Sequence, residues 1–242
     1  MTTHAASLVV QRSADRAHFH HGWLDTHHSF SFAGYYDPRN VNWGALRVFN
    51  DDVVAPGRGF GEHPHRDMEI LTYVLSGELA HRDSLGNERV VRAGAVQYLS
   101  AGTGIVHAEY NASAEHPVHF VQMWVAPRAA GLAPRYGQVD FTVADRRERW
   151  LRIASGVAGA DAPIALWQDA SASVARLEGG SSLRLAVGVG RLAFLFVAQG
   201  DVAIGGERLH AGDAARITGP LDDAVSGVGE LVLWDVPPVT AG

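Results

Sequence analysis

The chain has 242 residues, no cysteine, and a net charge of −6 from 26 acidic and 20 basic side chains. Without thiols it can build neither disulfides nor thiolate metal sites, which fits a reducing compartment, and its acidic balance does not suit a phosphate backbone. No apolar run approaches the roughly 20 residues needed to span a bilayer, and Gln11, Arg12, Asp15 and Arg16 interrupt the short apolar stretch near the start, so no signal peptide is expected. The expectation is a soluble, cytoplasmic, monomeric protein with neither nucleic-acid nor membrane partners. At this length two domains are the natural division.

In chain order, short segments rich in Val, Leu, Ile and aromatics stand at 70–75, 118–125, 192–198 and 231–236, each bounded by Gly, Pro, Asn or Asp. Turn-separated short strands argue for an all-β sandwich or barrel. An internal repeat supports this. Val74-Leu75-Ser76-Gly77-Glu78 returns as Val197-Ala198-Gln199-Gly200-Asp201, and Arg92-Ala93-Gly94-Ala95 returns as His210-Ala211-Gly212-Asp213. Two similar β domains in tandem follow, 1–136 and 137–242, joined where Pro127, Gly131, Pro134 and Gly137 break the pattern. Arg146, Arg147, Arg149 and Arg152, interspersed with Asp145 and Glu148, read as a solvated connector.

Thirteen histidines exceed what such a chain needs for packing. His63 and His65 stand two apart in Gly61-Glu62-His63-Pro64-His65, and Pro64 favours extension of the residue before it. On an extended segment, i and i+2 share a face. His107 and Glu109 are again two apart in Ile105-Val106-His107-Ala108-Glu109. Brought side by side, the two pairs supply three nitrogens and one carboxylate. That donor set suits Fe, Mn, Co, Ni, Cu or Zn rather than Ca or Mg. Glu69, four residues after His65, is placed in phase with it on a strand as a fifth candidate; Phe60, Met68, Tyr98 and Gln122 are candidate pocket residues, with Trp124 in phase with Gln122. His18, His20, His21, His27, His28 and His210 are read as surface or packing residues.

The spacing Gly57-x5-His63-x-His65-x3-Glu69-x7-Gly77 resembles the first cupin motif, and Gly94, Gly102, His107 and Asn111 resemble the second. The runs Gly59-Phe60-Gly61-Glu62-His63-Pro64-His65-Arg66-Asp67-Met68-Glu69 and Ser100-Ala101-Gly102-Thr103-Gly104-Ile105-Val106-His107-Ala108-Glu109, with Gly22-Trp23-Leu24-Asp25-Thr26-His27-His28, resemble the pirin family. The likeness is close over 8–127. It implies a bicupin, two tandem jelly-roll barrels, whose N-terminal barrel binds one divalent metal, most often iron, through His63, His65, His107 and Glu109. It also implies a quercetin 2,3-dioxygenase acting on a small aromatic substrate with dioxygen, Glu109 serving as proton acceptor as well as ligand. Pirins have also been assigned roles as metal-dependent sensors or transcriptional co-regulators, which is the alternative. The repeat adds that the second copy should lack metal: the ligand positions map onto Ala186, Gly188, Val225 and Gly227.

Overall fold

Nearly all regular structure in the computed structural model is β; a 3-10 turn at Ser13–Asp15 and a four-residue helix at Val143–Arg146 are the helical pieces among the described residues, 6–239. The apolar segments read from the sequence form the strands Glu69–Ser76, Val118–Val125, Leu192–Ile204 and Leu221–Val236. The chain divides into two compact β units.

The first unit comprises Ala17–Val41 and Arg47–Phe141. A seven-stranded sheet and a four-stranded sheet make it up. Leu24, Val54, Val74, Val118 and Phe120 from the larger sheet, with Ala95 just before its strand Val96–Ser100, close on Leu79, Val91 and Phe60 from the smaller, so an apolar cluster lies between the two. Ile70, Leu99, Ala101 and Ile105 form another. Along the strands of the larger sheet, polar residues sit between these clusters: Gln122, Thr72 and Gln97 stand in one cross-strand row, flanked by Ile70 and Val74 on their shared strand. Buried polar groups are costly unless partnered, and that polar layer is where the site is built.

The second unit holds residues 6–16, 42–46 and 142–239 of those described. Its eight-stranded sheet wraps a wholly aliphatic cluster that includes Leu177, Leu195, Val197, Leu209, Ile217 and Val225. Val225, the position matching His107, is therefore core. A linear division at 136/137 assigns Ser7–Gln11 to the first half; in the structure this strand pairs antiparallel with Ala214–Thr218 of the second unit. An unpaired sheet edge offers backbone donors and acceptors to any extended segment. The solvated-connector reading needs one correction. Arg146 is buried and its Nε donates to Glu230 at 2.6 Å, because the short helix that Thr142 caps turns this side chain inward.

The internal repeat is structural. Val74 N–H donates to Ala95 O and accepts at its carbonyl from Gly94 N–H; Val197 does the same with Asp213 O and Gly212 N–H. Gly94 and Gly212 have φ of 87° and 86°, a left-handed turn that glycine adopts without penalty.

Candidate metal centre

The strands Gly59–His65 and Ile105–Asn111 are antiparallel neighbours in the four-stranded sheet, with His107 directly opposite His63 and Ile105 opposite His65. Their imidazoles converge. His107 Nε2 lies 2.9 Å from His65 Nε2 and 3.0 Å from His63 Nε2. Three nitrogens each about 2.1 Å from one ion, at right angles to one another, stand about 3.0 Å apart. Both distances fit neighbouring sites on an octahedral ion, all three nitrogens lie within 4.8 Å of one another, and the donor set fits a transition metal. His63 Nδ1–H donates to Gly61 O at 2.7 Å, which leaves its Nε2 lone pair facing the other two rings. Burial, then the neighbouring His63 and His81, brings the His107 pKa down to about 3; burial, then His107 and His63, brings His65 to about 4. Both rings are neutral ligands near neutral pH.

Glu109 is fully buried. The register slips between His107 and Glu109 on the side facing Gly59–His65. Its carboxylate lies within 4.8 Å of the ligand atoms of His107 and His81. Both oxygens are occupied: Gln97 Nε2 donates a short hydrogen bond to Oε1, and Gln122 Nε2 donates to Oε2 at 2.8 Å. The amides are themselves held, Gln97 by Tyr136 at 3.4 Å and Thr72 at 3.2 Å, and Gln122 by Trp124 Nε1 at 3.1 Å. His81 is buried beside this network, stacked on Tyr136 with centroids 4.3 Å apart, its Nε2 2.9 Å from Asp83. Although burial opposes it, hydrogen bonds from His81, Asn87 and Leu85 hold the Asp83 carboxyl below its usual range.

A cavity of about 290 Å³ opens on this cluster, lined by Phe60, His63, His65 and Glu109 from the smaller sheet and by Gln122 and Trp124 from the larger. It sits at the small end of the roughly 300–1,000 Å³ of ligand pockets. Trp124 meets His65 edge-on at 4.8 Å and Phe32 at 5.3 Å.

Of the other candidates, Phe60 and Gln122 line the cavity, while Glu69, Met68 and Tyr98 are not among its lining residues. The in-phase placement of Glu69 with His65 does not hold. The chain turns at Asp67, whose φ is 48°, so His65 ends a strand of one sheet and Glu69 begins a strand of the other. Buried Glu69 accepts from the Tyr98 hydroxyl at 2.7 Å, which Arg135 also contacts at 2.9 Å. Burial and then the Glu69 charge push that phenol well above its ordinary pKa. Met68 packs with Ile70 and Leu99. His81, Gln97 and Tyr136 went unmarked in the sequence; the i, i+2 pair His81 and Asp83 was the available signal. His28 and His21, read as surface or packing residues, also line the cavity.

A family model described as Pirin matches residues 10–125, and one described as Quercetinase C-terminal cupin domain matches 153–226. A pirin-like protein of Caulobacter vibrioides is 45% identical over 220 residues, covering 89% of this chain and 93% of that protein. The chain belongs to the pirin family. Another relative, the quercetin 2,3-dioxygenase of Escherichia coli K12, is 40% identical over 240 residues, covering 96% of this chain and all of that protein. The crystal structure of the bacterial pirin YhhW from Escherichia coli in complex with nickel(II) superposes with a TM-score of 0.89 at 38% identity, covering 96% of this chain and 100% of that one. The two β units are thus the two cupin domains of a pirin.

Proposed function

We propose that this pirin is a metal-dependent dioxygenase that opens a flavonol such as quercetin. The observation that carries the reading is the cavity lined by His63, His65 and the clamped Glu109, where the His107 imidazole converges on the other two. A sensor acting through a partner surface has no need of such a chamber. The names of the relatives support the reading, and so does the nickel bound by the related structure.

His63, His65 and His107 would hold the ion, with Glu109 as fourth ligand; iron is the first choice, and Mn, Co, Ni, Cu or Zn the alternatives. When bound, such a metal supplies chelation of the adjacent 3-hydroxyl and 4-keto oxygens and the redox chemistry with dioxygen. The protein does the rest. A Glu109 carboxylate oxygen takes the proton of the 3-hydroxyl, while the Gln97 and Gln122 amides keep the group from swinging away. The Gly61 carbonyl fixes which His63 nitrogen faces the site. Phe60, Phe32 and Trp124 shape a flat slot and keep water out of it.

The test combines elemental analysis with oxygen uptake. Purified protein is expected to carry close to one transition-metal ion per chain and to consume oxygen with quercetin. His63→Ala and His107→Ala are expected to lose the metal, and Glu109→Gln to lose turnover. Metal-replete protein that leaves quercetin and oxygen untouched ends the dioxygenase reading. Alanine variants that bind metal as well as the parent end the site assignment.

A further inference from the structure

The seven-stranded sheet lines the same cavity with a second group of side chains. On the antiparallel strands Leu24–His28 and Leu46–Val54, Thr26 stands opposite Asp52 and His28 opposite Asn50. All four are buried and line the cavity, while the alternating Asp25, His27 and Asp51 are less buried and face the other way. The same inward face continues as Leu24 and Val54, both core. Two successive cross-strand pairs have therefore changed from apolar to polar where the sheet meets the cavity. Burying such groups costs stability unless something bonds them. Among the described residues Thr26 Oγ1 and Asn50 Oδ1, at 2% and 3% exposure, have no hydrogen-bond partner.

We propose that Thr26, His28, Asn50 and Asp52 form a recognition wall for the hydroxyl groups of an aromatic ligand whose other end meets His63, His65 and Glu109. The inference rests on the flavonol reading and deepens it. An amide oxygen and a carboxylate accept, and a threonine hydroxyl does either, so the wall matches O–H donors on a ring edge. With Asp52 and Glu109 both facing the cavity, a carboxylated or sulfated ring is disfavoured. Phe32 and Trp124, set edge to face, flank the plane such a ring occupies.

Zinc-loaded protein kept free of oxygen, its second substrate, cannot turn over and allows binding to be read by calorimetry. The probes are quercetin and the otherwise identical flavonol lacking the two hydroxyls on its pendant ring. The parent is expected to bind quercetin about tenfold or more tightly than the analogue, since unpaired buried acceptors penalise a ligand that cannot bond them. Thr26→Val with Asn50→Leu, both close in shape to the originals, should erase that preference, with the analogue bound at least as tightly as by the parent and the zinc content kept. If the double variant fails to fold, Thr26→Val alone is expected to remove about half of the preference on a logarithmic scale. A parent that binds both flavonols equally, or a variant that keeps the preference, overturns the wall and means water alone satisfies these groups; the flavonol reading then stands. Failure of the parent to bind either flavonol overturns both.

Discussion

Acid sensitivity of the metal-free protein follows directly from the packing of His107. Its folded pKa of about 3 arises from burial and from the neighbouring imidazoles, whereas an unfolded histidine titrates near 6.5. Between those values the unfolded chain binds a proton that the folded one refuses. Unfolding free energy therefore rises with pH across the window. The contribution is fully present above pH 6.5 and is lost as pH falls towards 3. Taking His107 alone, a drop from about pH 7.5 to about pH 5 removes about 2 kcal/mol, from roughly 1.4 kcal/mol per pH unit over the 1.5 units below 6.5. His65, at about 4, acts with the same sign. Asp83 is also depressed, but its window lies below the ordinary carboxylate range and leaves these pH values untouched. The assay is urea denaturation of EDTA-dialysed protein at both pH values, followed by tryptophan fluorescence, with His107→Leu as the comparison. The parent should lose about 2 kcal/mol more than the variant on acidification. Parallel behaviour of the two would refute a buried, neutral His107. A bound metal should keep or steepen the profile, because it holds protons off the ligand nitrogens of the folded protein while the unfolded chain still takes them up.

Three further outcomes are expected. Gln97→Leu removes the amide that clamps Glu109 Oε1 and should lower quercetin turnover about 10–100-fold while metal content, read by elemental analysis, stays near the parent's. Arg146→Ala leaves the buried Glu230 carboxylate with only the more distant, part-exposed Arg176 guanidinium of its two arginine partners and should cost up to about 3 kcal/mol in urea unfolding, whereas Arg146→Met with Glu230→Met should recover most of it. Gly59→Ala places a Cβ 2.2 Å from Glu109 O and 2.5 Å from Tyr110 Cα; the two strands must part, and both thermal stability and metal retention should fall, seen by differential scanning calorimetry and elemental analysis.

How much of this was open to sequence reasoning depends on the range of the interaction concerned. Strand periodicity and glycine turns are local, so the all-β class, the strand 118–125 and the repeat of Val74 and Gly94 as Val197 and Gly212 could be read directly. The two-residue spacing of His63 with His65 and of His107 with Glu109 is likewise a property of extended chain. Their meeting was not local, since it requires strands some forty residues apart to pair with His107 opposite His63. The tertiary structure alone separated Glu69 from His65, because one left-handed residue, Asp67, sends the chain into the other sheet. It alone set His81 and Gln97 around Glu109 and turned Arg146 inward to Glu230. It alone gathered Thr26, His28, Asn50 and Asp52 on one wall. Which side chains share a cavity is decided by strand pairing and register between distant segments, and periodicity within a single strand carries no record of its neighbours.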